Sequence, residues 1–247
     1  MKNNLELISL LNDKIEISQY AIQHKLRFEK IINSILSFEV NNSNKNFIKI
    51  LDFGSLDGTL AIALKSFGFE VICTDIDEVL NEFSSNYINN NIIYKPLLSE
   101  QEIIPLPDNY FHYVVFSEVL EHLYNSPLAY LNEIHRVLKN NGKLILTTPN
   151  VMRLENKIKF FLNLNIYQDL ERYCYNPRFH LHFKEYTRKE VKILLEKHLN
   201  FKNVNIKLFD YVGGRTIKAR FVQRILFLFN IIFPFLKNCM LVTANKN

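Results

Sequence analysis

Apolar residues recur at helical spacing from residue 5 to residue 38, at Leu7, Leu10, Leu11 and Ile15 and again at Ile22, Leu26, Ile31, Ile32 and Ile35. That spacing predicts an N-terminal helical segment. The stretch NNSNKN (41–46) has the composition of a linker. Beyond it, short β-rich runs alternate with helical patterns: strand 47–53, helix 58–67, strand 69–75, helix 77–87, strand 91–98, strand 110–117, helix 126–140 and strand 143–148. Ser126 and Pro127 stand where a helix opens, and Asn141-Gly142 stands where it is expected to close. Strands and helices alternating at this spacing predict an α/β fold with a parallel, doubly wound sheet.

The last hundred residues follow another pattern. Segment 151–186 is aromatic and basic with weak periodicity, as in a cap inserted into the fold. Helix 187–199, strand 201–209 and strand 239–246 then complete the sheet, with an insert at 210–237. Its run ILFLFNIIFPFL (225–236), flanked by Arg220, Arg224 and Lys237, is shorter than a bilayer span. Three fates are open to the 217–237 stretch: internal packing, a homodimer contact, or peripheral contact with a membrane surface. The expected organisation is an N-terminal helical segment (1–46), a core (47–150), a cap (151–186) and a C-terminal completion (187–247).

At 48% apolar and 22% charged over 247 residues, the chain can fill a hydrophobic core, which excludes a disordered or fibrous protein. Three dispersed cysteines (Cys73, Cys174, Cys239) give neither a disulfide framework nor a zinc-ligand spacing. With a charged N-terminal stretch, the expectation is a reduced, cytoplasmic protein. The net charge of +5 divides into +2 for residues 1–50, −8 for 51–150 and +11 for 151–247. An acidic middle and a basic last third suggest two separate tasks, and this bears on partners while leaving the fold open.

The chemistry is concentrated in ILDFGSLDGTLAIAL (50–64). An acid ends a buried strand, a turn carries Gly54 and Gly58, and a helix follows. Such a turn lets backbone approach a ligand closely, and a helix N-terminus favours negative charge. Asp75 ends the next strand, 21 residues after Gly54, where a carboxylate can accept from both ribose hydroxyls of a nucleotide-type cofactor.

On these residues the sequence resembles the class I S-adenosylmethionine-dependent methyltransferases, in their small-molecule branch. ILDFGSLDG matches the first motif and VICTDID the ribose acid, while PLPDNYFHYVVFSEVLEHL and IHRVLKNNGKLILTTPN match the segments around the fourth and fifth strands. HFKEYTRKEVKILLEKHLNFKNV resembles the late helix and strand. The resemblance implies a Rossmann-like sheet of seven strands in the order 3-2-1-4-5-7-6, with the last antiparallel. It also implies S-adenosylmethionine as cofactor and S-adenosylhomocysteine as product. Asp52, Gly54, Ser55 and Gly58 would line the methionine end, Asp75 would hold the ribose, Ile76 would pack on the adenine, and Ser117 and Glu118 would face the cofactor near the methyl. Two positions depart from the family pattern: Leu56 stands where a glycine is frequent, and KPLLSE lacks the acid for the adenine amine, leaving Leu97 or Leu98 to serve by backbone and packing. Tyr20, His24 and Arg27 share one helical face, and the resemblance implies that Tyr20 or Arg27 meets the cofactor's carboxylate.

Methyl transfer is an in-line displacement that the protein serves by alignment and exclusion of water. A hydroxyl acceptor gains from a base. His122, four residues after Glu118, is the candidate, with a structural histidine as its alternative. His180, His182, Arg178 and Tyr186 lie in the cap as candidate acceptor-binding residues. The His-x-His pair also suits metal ligation, but no third ligand stands beside it in the sequence, so no metal is expected. The basic last third, with Arg153, Lys157, Lys159, Arg172, Arg178, Lys184, Arg188 and Lys189, favours a small anionic or sugar-containing acceptor, such as a nucleotide-linked sugar or a surface-polysaccharide precursor. Methylation of a phosphoryl or phosphoramidate group on such a precursor, an RNA acceptor and a non-catalytic scaffold are the alternatives. Nucleic acid is disfavoured because no Asn-Pro-Pro-Tyr loop, Pro-Cys pair or appended binding module is present. A nicotinamide oxidoreductase would show Gly-x-Gly-x-x-Gly and a hydride-transfer pair, and neither is found.

Overall fold

The structure is a computed structural model, and it describes residues 19–39, 47–98, 102–167, 170–175, 181–211 and 227–247. The expectations for helix 5–18, linker 41–46, Arg178, His180 and most of the 210–226 stretch lie outside the described residues. In chain order the elements are α1 (Gln19–Phe38), β1 (Lys49–Phe53), α2 (Thr59–Ser66), β2 (Glu70–Asp75), α3 (Asp77–Glu82), α4 (Ser84–Asn89), β3 (Ile93–Pro96) and β4 (Phe111–Ser117). A 3₁₀ turn (Leu120–His122) leads into α5 (Leu128–Val137), β5 (Leu138–Pro149), α6 (Leu154–Phe161), α7 (Leu170–Tyr175), α8 (Arg188–Ile193), β6 (Lys202–Phe209) and β7 (Cys239–Asn245). The seven strands form one sheet in the order β3-β2-β1-β4-β5-β7-β6, with β1, β2 and β3 parallel and β7 antiparallel to β6. The predicted fold class is the observed one.

The chain divides into two compact units, residues 1–115 with 133–143, and residues 116–132 with 144–247, so the division falls inside β4 and inside β5. In the first unit the register pairs Ile50 with Val71, Asp52 with Cys73 and Thr74 with Lys95. Both faces of this sheet are covered, which is why ILDF and VICT read as continuous apolar runs. Ile31, Ile32 and Ile35 form the buried stripe of α1, which packs against α2, while Ile50, Leu51 and Phe53 of β1 and Leu64 of α2 are buried in the same unit.

Two elements differ from their predicted limits. Helix 77–87 is broken at Phe83 into α3 and α4, because the Ser84 hydroxyl donates to the Asn81 carbonyl (3.0 Å) and competes with the helical ladder. The helix expected to reach Asn140 stops at Val137, and β5 starts directly at Leu138. Asn141 is left-handed (φ 63°), and a Cβ on Gly142 would lie 2.7 Å from the Lys139 carbonyl oxygen. The tight turn therefore begins at Lys139 and leaves no room for a last helical turn.

In the second unit β6 and β7 pair Ile206 with Val242 and Phe209 with Cys239, and Val191, Leu195, Phe201, Met240 and Val242 supply core. Thr187 and Glu190 form a reciprocal cap on α8: the Thr187 hydroxyl accepts from the Glu190 amide (3.2 Å), and the Glu190 carboxylate accepts from the Thr187 amide (2.8 Å). The helix then widens to a π turn at Leu194–His198.

Candidate active site

Asp52 closes β1 and Asp75 closes β2, so the parallel register sets both carboxylates at the carboxyl end of adjacent strands. Asp75 Oδ2 accepts from the Leu56 amide (2.9 Å) and Oδ1 from the Ile76 amide (2.8 Å). An ionised carboxylate has about four acceptor positions, so two remain for the paired hydroxyls of a ribose. Burial lifts Asp75 to a pKa of about 6, with the two amides opposing the shift. Asp52 is raised further, to about 7, first by burial and then by the neighbouring charges of Asp75 and Asp57, while Arg27 opposes. Asp52 Oδ2 is buried without a hydrogen-bond partner. A buried carboxylate oxygen of that kind fits a ligand that brings a donor or a positive charge.

The turn between β1 and α2 is held by an aromatic clamp. Tyr87, fully buried at the C-terminal end of α4, donates its hydroxyl proton to the Leu56 carbonyl (2.7 Å). That proton is thereby committed, so the Ser55 hydroxyl, 2.8 Å away, donates to Tyr87. Gly58 (φ 74°) passes over the ring so closely that a Cβ there would lie 3.0 Å from Tyr87 Cε1. Leu56, at the position where glycine was expected, adopts φ 47° and keeps the left-handed bend despite its side chain. Asp57 Oδ1 accepts from the Thr59 amide (3.0 Å), opening α2. Arg27 is buried on α1, and its charge together with burial pushes His24 down to about 3. Tyr20 lies on the same helix, but its side chain is outside the described residues. Leu98 is exposed and bridges to Ile103 (3.1 and 3.3 Å), while Leu97 is buried and donates its amide to the Asp75 carbonyl (2.9 Å).

The second unit carries its own constellation. The Ser117 and Thr147 hydroxyls are 2.9 Å apart at the ends of β4 and β5. Glu118 follows with φ 55°, a left-handed bend at a non-glycine residue, and its carboxylate accepts from the Tyr211 hydroxyl (3.1 Å). Backbone strain of this kind persists only where the surroundings hold it. In the next turn Glu121 is fully buried and accepts from the Thr148 hydroxyl (2.9 Å). Its carbonyl accepts from the Phe183 amide (2.7 Å), which fixes segment 181–186 against the Leu120–His122 turn. His122 Nδ1 is 2.9 Å from the Leu181 carbonyl, and the His122 and His182 rings meet edge to face at 4.7 Å. His182 Nδ1 contacts Glu185 (3.2 Å), which also holds the Arg153 guanidinium in a two-pronged pair. Burial alone would raise Glu185, but His182 and Arg153 hold it down at about 2.

The chain is similar to methyltransferases. The family model for a methyltransferase domain matches residues 22–206. The chain belongs to this family. Among curated relatives, it is 32% identical over 133 residues to a ubiquinone/menaquinone biosynthesis C-methyltransferase of Paraburkholderia phymatum, covering 52% of this chain and 54% of the relative. It is 30% identical over 135 residues to a ubiquinone biosynthesis O-methyltransferase of Rickettsia felis, covering 53% of this chain and 54% of the relative. A match to a probable polyketide synthase of Dictyostelium discoideum (27% over 173 residues) covers 57% of this chain and 6% of that protein. These matches thus span about half of the biosynthetic methyltransferases and a small part of the synthase. A S-adenosylmethionine-dependent methyltransferase from Archaeoglobus fulgidus shares the fold (TM-score 0.56, 21% identity, 92% of this chain and 99% of that one). One from Aquifex aeolicus aligns over the whole of both chains (TM-score 0.55, 16% identity).

For a class I methyltransferase the cofactor is S-adenosylmethionine. The residues in the first unit fit it: Asp75 has two acceptor positions for the ribose, and the partnerless Asp52 oxygen suits the cationic methionine end. Several residues that set this geometry escaped sequence reasoning. Tyr87 gave no signal beyond an aromatic among polar helix residues. Glu121 stood next to His122, but only the fold brings His182 to them both. Tyr186 is buried and its carbonyl accepts from the Val151 amide (3.2 Å), so it serves the core of its unit. Three cationic side chains of the basic last third form ion pairs within the protein: Arg153 with Glu185, Lys159 with Glu155 and Lys184 with Glu190.

Proposed function

We propose that the protein transfers the methyl group of S-adenosylmethionine to a hydroxyl oxygen of a small acceptor carrying sugar or phosphate groups. The observation that carries the oxygen assignment is the Glu121–His122–His182 group. A hydroxyl is a poor nucleophile until its proton is removed or its oxygen polarised. The Nδ1–H of His122 donates to the Leu181 carbonyl, which leaves Nε2 with the lone pair, the tautomer a base requires. Arg188 and Lys189, exposed at the start of α8, and Lys157 on α6 support an anionic acceptor, with the charge balance of +11 over residues 151–247.

A second reading is supported by apolar surface in the same unit. Phe160, Phe161, Leu162, Leu164, Tyr173 and Tyr175 are all exposed, and Leu228, Ile231 and Ile232 with them. Such a surface suits an acceptor with a hydrophobic portion, and two relatives named above belong to ubiquinone biosynthesis. The test is S-adenosylhomocysteine release from S-adenosylmethionine with nucleotide-sugars, phosphosugars, a catechol and a prenylated quinol as acceptors. Turnover with the phosphorylated or sugar compounds alone supports the first reading. Turnover confined to the catechol or quinol overturns it in favour of the second.

A further inference from the structure

We propose that Glu121, His122 and His182 bind a divalent transition-metal ion of the Zn²⁺, Mn²⁺ or Co²⁺ class. One donor atom from each residue lies within 4.8 Å of the other two. Around an ion with bonds of about 2.1 Å, donors in a tetrahedral arrangement sit roughly 3.4 Å apart, so modest rotations of the two imidazoles complete the site. The donor set of two imidazoles and one carboxylate suits these ions and leaves coordination positions open.

The surroundings of the three residues are those of a ligand set. A metal-bound histidine ordinarily donates its other ring N–H to a carbonyl or carboxylate, which fixes the ring and its tautomer. His122 has Leu181 in that place (Nδ1 to carbonyl, 2.9 Å), and His182 has Glu185 (Nδ1 to Oε1, 3.2 Å). Both Nδ1 atoms therefore face outward, which assigns ligation to the two Nε2 atoms. The carboxylate is oriented as well, since Glu121 Oε2 accepts from Thr148 (2.9 Å). Glu185 is fixed in turn by the two-pronged Arg153 pair. The Phe183 amide bond to the Glu121 carbonyl (2.7 Å) holds the two ligand-bearing segments together. Five residues around the three donors thus orient them.

The open positions would take acceptor oxygens, adjacent ones such as a vicinal diol or a hydroxyl next to a phosphate in particular. This role of the ion rests on the proposed O-methyl transfer; the binding of the ion does not. His122 then acts as a ligand, and the ion polarises the acceptor hydroxyl.

The experiment uses the full chain, stripped with EDTA and dialysed, then titrated with Co²⁺ and Zn²⁺ by calorimetry, with the visible d–d band of Co²⁺ recorded. One equivalent of each ion per chain, with a Co²⁺ band of nitrogen and oxygen ligation, is the expected result. His182→Ala and Glu121→Gln are expected to weaken binding by at least ~100-fold, and Glu185→Gln by about 10–100-fold. Glu185→Gln preserves volume and is not itself a ligand, so it remains informative if the ligand variants fail to fold. No stoichiometric uptake by the wild type, or equal uptake by wild type and Glu185→Gln, overturns the proposal. Titration of the same samples with S-adenosylhomocysteine separates the two claims. Cofactor binding without metal uptake overturns only the metal site; metal uptake without cofactor binding overturns the methyl-transfer reading and leaves the site standing.

Discussion

Replacing Gly58 by alanine tests the geometry of the cofactor turn directly. The residue sits at φ 74°, and the added Cβ would lie 3.0 Å from Cε1 and 3.3 Å from Cδ1 of Tyr87. A left-handed conformation costs an L-residue about 1–2 kcal/mol. The ring cannot retreat cheaply, because it is fully buried and its hydroxyl is tied to Ser55 and to the Leu56 carbonyl. Overpacking against a fixed neighbour adds about 1–3 kcal/mol. Alanine also narrows the unfolded ensemble relative to glycine, which returns about 0.5–1 kcal/mol. The net cost is about 1–4 kcal/mol, or a fall in Tm of roughly 2–16 °C for a chain of this size. Thermal unfolding followed by circular dichroism checks it. Leu56→Gly, at φ 47°, is the opposite change and relieves strain; it should leave Tm unchanged or raise it by up to about 4 °C. A Gly58→Ala protein within a degree of wild type would refute the argument, because neither the bend nor the clamp would then be as described.

Other expectations follow from the same geometry. Asp75→Asn keeps one acceptor for the Leu56 and Ile76 amides but turns an amide N–H₂ toward the other, so affinity for S-adenosylhomocysteine should fall by about 1.5–3 kcal/mol; unchanged calorimetric affinity would remove Asp75 from the ribose. Asp52 has a folded pKa near 7 against 3.8 for the ordinary group, so the folded state binds the extra proton between about pH 4 and 7. Stability from this group is present below that window and declines as pH rises through 7. Urea unfolding of Asp52→Asn should show a flatter decline between pH 5 and 8, and a slope matching wild type would contradict it. His122→Ala should lower kcat by about 10²–10⁴ while leaving S-adenosylhomocysteine affinity within twofold, and equal turnover would make His122 a structural residue.

The order of elements was legible because short continuous apolar runs and 3.6-period helical patterns alternate from Phe47 to Thr148. Buried parallel strands such as ILDF are short, continuous and bounded by turn residues, and that pattern has few other readings. Boundaries were less legible where side chains compete with the backbone. The Ser84 hydroxyl breaks a helix that its sequence favours, and the turn at Lys139 pre-empts a helix end that Asn141-Gly142 marked two residues later. The placement of Asp52, Gly54, Gly58 and Asp75 at the ends of adjacent strands was legible, because it is local to two strand–helix turns. The Glu121–His122–His182 group was not, since it joins residues about sixty positions apart through hydrogen bonds between segment 181–184 and the Leu120–His122 turn. A count of cations also could not show that Arg153, Lys159 and Lys184 pair with Glu185, Glu155 and Glu190.

The central claim is that the turn closed by Tyr87 and the Asp75 carboxylate hold S-adenosylmethionine. Calorimetric titration of the full chain with S-adenosylhomocysteine, beside NAD and beside the Asp75→Ala variant, tests it most directly. The expected result is one site per chain with micromolar affinity, lost or strongly weakened in Asp75→Ala, and no binding of NAD. A folded wild-type protein that gives no heat with S-adenosylhomocysteine, or that binds it as tightly after Asp75→Ala, would contradict the account.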